Sequence, residues 1–105
     1  MQRLRPKQPS EPNAPTGLKV DELSDTSSKI SWDAVGYEEG IKEYHVYRDD
    51  EYLDKRVGTS FADSGLTPKT TYEYQIKAIG NNDLESELSE SLSVTTDESE
   101  QESGD

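Results

Sequence analysis

The sequence contains no cysteine, and it has a single histidine, tryptophan, phenylalanine and methionine. Without thiols, neither a disulfide framework nor a thiolate metal site can form. No apolar stretch approaches the length that spans a membrane. The basic opening residues are not followed by the apolar run of a signal peptide. We therefore expect a chain that is cytoplasmic as made, assembled into a larger particle, or a piece of a longer protein.

Basic residues are also few, because 11 lysines and arginines face 23 aspartates and glutamates, for a formal net charge of −12. A chain this acidic repels phosphate backbones, so we expect no nucleic-acid partner. The charge also favours solubility and a monomer in isolation. Hydrophobic residues make up only 29% of the chain, a value that leaves disorder open as an alternative. Against disorder, tyrosines recur at strand spacing through the middle of the chain.

The two ends lack the pattern of a folded domain. Residues 1–13 are polar and repeat proline at every third position, at Pro6, Pro9 and Pro12. This spacing favours an extended arm, which we interpret as a flexible linker, with a proline-recognition motif as the alternative. Residues 98–105 are acidic and predict a disordered tail. The folded unit is therefore predicted over residues 14–97, with both ends mobile.

Between the ends, apolar and polar residues alternate in short stretches, the period of half-buried strands. The clearest alternation follows a turn at Thr67-Pro68, where Tyr72, Tyr74, Ile76 and Ala78 share one face. Six further stretches show the same pattern, at 18–20, 29–33, 41–48, 52–57, 61–63 and 91–95. Because no helix is indicated and turn residues recur at short intervals, we predict an all-β, seven-stranded antiparallel β-sandwich.

Acidic residues gather at two places in the sequence. One group comprises Asp49, Asp50, Glu51 and Asp54, and the other Glu38 and Glu39. Clustered oxygens could hold calcium weakly, but the spacing of a calcium-binding loop is absent, so we interpret both as solvated turns. Asp49-Asp50 stands where a two-residue hairpin turn needs positive φ, which predicts a mildly strained turn or a longer one.

Several motifs occur in a characteristic order: Pro15 with Leu18, Trp32, Tyr44-x-Val46-Tyr47-Arg48, Leu66-x-Pro68-x-Thr70-x-Tyr72, Tyr74-x-Ile76-x-Ala78 and Val94-Thr95-Thr96. Together they resemble a fibronectin type III domain of the microbial and phage kind, over about four fifths of the chain. The resemblance implies an immunoglobulin-like sandwich, with the first, second and fifth strands facing the other four. It also implies that Trp32 is buried beside Tyr44, Tyr74 and Leu66. The Tyr72 hydroxyl is expected to bond the main chain near Leu66.

Few side chains are candidates for chemistry. His45 lacks a neighbouring nucleophile or second acid–base group, so we expect an outward-facing strand residue and no enzyme, cofactor or metal site. Tyr37, Tyr47 and Tyr52 are predicted to be partly exposed. Such side chains can stack on sugar rings or anchor a protein, or they simply cover their neighbours on the sheet.

The resemblance implies a non-catalytic spacer or attachment module in a secreted, cell-surface or virion protein. Domains of this kind are found in polysaccharide-degrading enzymes and in virion proteins. The expected partners are neighbouring domains of a parent protein or virion components, and the expected location is extracellular, cell-surface or virion-associated. The alternative is an adhesive module that binds polysaccharide or a protein through the three tyrosines. The 81–86 loop contains no Arg-Gly-Asp, so integrin-type adhesion is not supported.

Overall fold

The computed structural model describes residues 11–98, which form seven strands and no helix. The strands are β1 (Lys19–Leu23), β2 (Ser27–Ser31), β3 (Ile41–Arg48), β4 (Glu51–Arg56), β5 (Ser60–Ser64), β6 (Thr71–Gly80) and β7 (Leu92–Thr95). One sheet has the order β1-β2-β5 and the other β4-β3-β6-β7, with every pair antiparallel. The predicted sandwich and its division into two sheets are confirmed.

The predicted arm and tail fall mainly on residues 1–10 and 99–105, which lie outside the described part of the chain. Pro12, which we counted with the arm, is fully buried. Within residues 11–98, no helix is long and apolar enough to cross a membrane.

The core lies between the two sheets and follows the period-two pattern of the strands. Tyr44 and Val46 of β3 are buried, as are Tyr74, Ile76 and Ala78 of β6. The facing sheet contributes chiefly two buried side chains, Ile30 and Phe61. Each of these residues removes its apolar surface from water, which is the main favourable term in folding.

Trp32 is 4% exposed and occupies the predicted place in this core. Its ring meets Tyr44 edge to face, with centroids 5.7 Å apart and planes at 66°, the arrangement that aromatic quadrupoles prefer. Trp32 lies one residue beyond β2, where its N–H donates to the Thr59 carbonyl at 3.0 Å. Its indole N–H has no hydrogen-bond partner among the described residues.

The connection between β5 and β6 crosses from one sheet to the other. The N–H of Thr67 donates to the Tyr72 hydroxyl at 2.9 Å, and the N–H of buried Leu66 donates to the Thr26 carbonyl at 2.9 Å. The expected tyrosine contact near Leu66 is therefore present. The hydroxyl accepts this bond, and it fixes the start of β6 against the crossover.

The turn between β3 and β4 is the two-residue alternative. Arg48 pairs with Glu51, while Asp49 and Asp50 have φ values of 53° and 72°. Both values lie in the left-handed region that costs most residues about 1–2 kcal/mol. The Asp49 N–H donates to the Glu73 carbonyl at 2.8 Å, and the Glu73 N–H donates to Asp49 Oδ1 at 3.0 Å. The strained turn is thus anchored to β6.

Candidate functional surface

The outward face of the four-stranded sheet carries three aromatic rings in contact. His45 and Tyr47 alternate on β3 with the buried Tyr44 and Val46, as predicted from the strand pattern. Tyr52 of β4 pairs with Tyr47 across the hairpin. We refer to His45, Tyr47 and Tyr52 as the aromatic patch.

Tyr52 stands at the centre of the aromatic patch and is 52% exposed. Its ring centroid lies 5.2 Å from that of His45, at an interplanar angle of 74°. The Tyr47 ring lies 5.9 Å away at 77°. Edge-to-face contacts of this kind hold rings in place. They also leave the two tyrosine rings nearly perpendicular, so the rings do not form one flat platform.

The cationic and anionic groups around the patch are paired with each other. The His45 ring nitrogen Nε2 lies 2.8 Å from a Glu43 carboxylate oxygen, and this hydrogen bond holds the pKa of Glu43 below its usual value. Lys77 donates to Glu85 at 3.0 Å, and this bond raises the pKa of Lys77. The Lys77 ammonium also lies 5.5 Å from the Tyr47 ring centroid, within cation–π distance.

Tyr37 lies apart from the aromatic patch. Its ring packs over the α-carbon of Gly80, so closely that a β-carbon there would lie 2.5 Å from a ring carbon. The Asn82 side chain donates to the Tyr37 hydroxyl at 3.0 Å. Since Tyr47 pairs with Gln75, roughly 17 Å of strand separates the two tyrosines. The three tyrosines therefore do not form one joint surface.

The acidic groups are held by local hydrogen bonds and ion pairs. Asp54 accepts from the Lys55 N–H at 2.7 Å, which is the main cause of its lowered pKa. It also pairs with Arg56 at 2.9 Å. Within residues 11–98, no group of three or more His, Cys, Asp or Glu side chains is arranged to hold a metal ion.

Residues 13–95 match the family described as the fibronectin type III domain. The chain belongs to this family. Chitinase 63 of Streptomyces plicatus is 40% identical over 88 residues, which cover 84% of this chain and 14% of the chitinase. The poly(3-hydroxybutyrate) depolymerase of Ralstonia pickettii is 38% identical over 84 residues, covering 80% of this chain and 17% of the depolymerase. The chain thus spans less than a fifth of either relative.

Among solved structures, chitinase ChiA74 from Bacillus thuringiensis superposes with a TM-score of 0.78. The match is 23% identical and covers 90% of this chain and 15% of that one. This likeness concerns the fold of the fibronectin type III domain. It agrees with the two sheets described above.

The fibronectin type III domain has a polar network between its sheets that the sequence analysis did not anticipate. Asp63 of β5 is 8% exposed. One of its carboxylate oxygens, Oδ2, accepts from Arg48 of β3 at 2.7 Å and from the Tyr74 hydroxyl of β6 at 2.6 Å. Ser28 of β2 lies 3.0 Å from the same hydroxyl. Burial first, and then the bond to Asp63, raises the pKa of Tyr74. The network joins both sheets through buried atoms.

Two buried serines complete β6 where β7 has not yet begun. The Ile76 N–H donates to the Ser89 hydroxyl at 2.9 Å, and the Ala78 N–H donates to the Ser86 hydroxyl at 2.8 Å. In return the serine N–H groups donate to the Ile76 and Ala78 carbonyls. Side-chain oxygens thus replace ladder acceptors, as buried backbone donors require. The three-residue spacing of Ser86, Ser89 and Leu92 was the available sequence signal.

The described chain enters and leaves the sandwich at opposite ends. Near the start, the Asp33 N–H donates to the Thr16 carbonyl at 2.9 Å. Near the end, the Asp97 N–H donates to the Ser24 carbonyl at 3.1 Å. Since Thr16 and Ser24 lie before and after β1, roughly 25 Å of extended chain separates these contacts. We call the two ends the entry pole, at Thr16 and Asp33, and the exit pole, at Ser24 and Asp97.

Proposed function

We propose that this fibronectin type III domain is a non-catalytic spacer in a larger, extracellular polymer-degrading protein. The separation of the entry and exit poles carries the proposal. A neighbour before Thr16 and a neighbour after Asp97 would be held on opposite sides of a packed sandwich. A flexible linker of equal length has a shorter and more variable end-to-end distance.

The relatives support this context. One is named for chitin and the other for poly(3-hydroxybutyrate), which are chemically unlike polymers. A module shared by both is better explained by a mechanical role than by recognition of one polymer. Chitin chains are too large to enter a cell, so we place the domain outside it, with neighbouring domains of the parent enzyme as partners. The virion context stays a prediction, and we rank it second.

A domain exchange tests the spacer function. The segment of the Streptomyces plicatus chitinase that matches this chain would be replaced by this chain, or by a Gly/Ser linker with the same number of residues. We expect the domain to preserve hydrolysis of insoluble chitin and the linker to reduce it. Both chimeras should hydrolyse a soluble chito-oligosaccharide equally. Equal activity of the two chimeras on insoluble chitin would contradict a spacer role.

A second candidate function is weak polymer binding at the aromatic patch, favoured by the 52% exposure of Tyr52. Stacking on one ring would give an affinity on the order of millimolar. Two observations weigh against it: Lys77 lies over Tyr47, and the rings are perpendicular. We expect NMR titration with neutral oligosaccharides to leave the Tyr47 and Tyr52 resonances in place. Saturable shifts that Tyr52→Ala abolishes, and that Tyr37→Ala does not, would favour binding.

A further inference from the structure

Thr96 is a buried polar residue at the point where the chain leaves the last strand. It is 3% exposed, although β7 ends one residue earlier, at Thr95. Its hydroxyl accepts from the Thr70 N–H at 2.9 Å and donates to the Thr67 carbonyl at 2.6 Å. Its own N–H donates to the Thr70 carbonyl at 3.0 Å. Three bonds therefore join one residue to the loop before β6.

The next residue continues this attachment through its backbone alone. The Asp97 N–H donates to the Ser24 carbonyl at 3.1 Å, and the Asp97 carbonyl accepts from the Lys69 N–H at 3.0 Å. Ser24 belongs to the turn between β1 and β2, and Lys69 to the loop before β6. Asp97 thus lies between loops from the two sheets.

Both loops are fixed by bonds of their own. In the β1–β2 turn, the Ser24 hydroxyl accepts from the Ser27 N–H at 3.0 Å. In the other loop, the Thr70 hydroxyl donates to the Pro68 carbonyl at 2.9 Å, beside the Tyr72 contact with Thr67 described above. The Lys69–Glu98 ion pair is exposed, at 3.7 Å, and such pairs contribute little.

We propose that Thr96 is an orienting residue, which fixes the direction in which the chain leaves the exit pole. The inference rests on the proposed spacer function, because a spacer transmits orientation only if its last residues are rigidly attached. The Thr96 hydroxyl holds the loop before β6 in the position where Lys69 can bond Asp97. Without that hydroxyl, Asp97 would keep a backbone contact to only one sheet's loop.

The chain offers a matched control next to Thr96. Thr95 is exposed, and its hydroxyl lies 2.8 Å from that of Thr71 on the sheet surface. Thr95→Val and Thr96→Val make the same chemical change one residue apart. A third variant, Thr96→Ser, keeps the hydroxyl and tests whether it, rather than the methyl group, is responsible.

Native-state hydrogen exchange by NMR measures the attachment directly. In the wild type, we expect the amides of Lys69, Thr70 and Asp97 to be protected. In Thr96→Val their exchange should rise by roughly tenfold or more, as expected for loss of a hydrogen bond of ordinary strength. The Ile76 amide should change only with global stability, and Thr95→Val and Thr96→Ser should match the wild type.

A distance measurement gives an independent readout. Because the chain has no cysteine, spin labels can be placed at Val57→Cys, which is 82% exposed in the native side chain, and at Glu98→Cys. We expect a narrow distance distribution that Thr96→Val broadens and Thr95→Val does not. Unprotected Asp97 in the wild type, or an unchanged distribution in Thr96→Val, would overturn the proposal. Neither result would depend on the chitinase chimeras, which test the spacer function separately.

Discussion

Removing the buried carboxylate of Asp63 should weaken the contact between the two sheets. Asp63→Ala deletes the acceptor of two hydrogen bonds, at 2.6 Å from Tyr74 and 2.7 Å from Arg48. Hydrogen bonds to charged groups contribute about 1.5–3 kcal/mol each. Breaking a fully buried ion pair costs about 3–5 kcal/mol, because the other charge stays buried.

The surroundings of the two partners reduce this cost. The Arg48 side chain is 29% exposed, so its guanidinium can regain water when Asp63 is lost. The Tyr74 hydroxyl retains Ser28 at 3.0 Å. We therefore expect Asp63→Ala to lower the free energy of unfolding by about 2–3 kcal/mol, between one such bond and a buried pair.

Urea denaturation at neutral pH measures this loss, and a double-mutant cycle assigns it. Asp63→Asn keeps the size of the side chain and one acceptor, so it should cost about half as much. Combining Asp63→Ala with Tyr74→Phe should cost less than the sum of the single changes by about 1 kcal/mol or more. If Asp63→Ala costs under about 0.5 kcal/mol, the network is not a structural link between the sheets.

Three further predictions follow from single contacts. Trp32→Ala should be the most damaging substitution, at about 3–5 kcal/mol out of a total of about 5–15, while Trp32→Phe costs less because the indole N–H makes no bond; a denaturant midpoint near wild type would place Trp32 outside the core. Asp50→Gly should raise stability by up to about 1 kcal/mol by relieving positive φ, whereas Asp49→Gly gains less because it loses the bond to Glu73; equal effects in thermal melts would contradict this. Because the folded-state pKa of Tyr74 is raised above its ordinary 10.0, its contribution is complete below about pH 10 and falls as the unfolded state ionises above that, so the stability gap between wild type and Tyr74→Phe should narrow from pH 9 to 11.5; a constant gap would refute it.

The parts of the fold that could be predicted are those with a local repeat. Tyr74, Ile76 and Ala78 alternate with polar residues, and any chain with that pattern must cover one face of a strand. The same pattern placed His45 and Tyr47 outward. The motif around Tyr72 located the crossover to within one residue, because a proline turn and a strand start occur together there.

The polar network was missed because its members are far apart in sequence. Arg48 and Asp63 each read as ordinary polar residues on a surface strand. A clue was nevertheless available: Asp63 is two residues from Phe61, so both point the same way. Since Phe61 had to be buried, Asp63 had to be buried with it, and a buried carboxylate needs a partner. Tyr37 was misplaced for the opposite reason, since no period fixes a loop residue.

The placement of charge on the outer sheet favours a spacer over an adhesive surface. The cations nearest the aromatic patch are already engaged, with His45 beside Glu43 and Lys77 bound to Glu85. A neutral polymer would have to displace these contacts, or bind Tyr52 alone, to gain a stacking interaction. The bonds at Thr96 and Asp97, in contrast, lie where a neighbouring domain would follow. The domain therefore places its strongest polar contacts where they hold the chain's direction, and pairs off the groups that could attract a ligand.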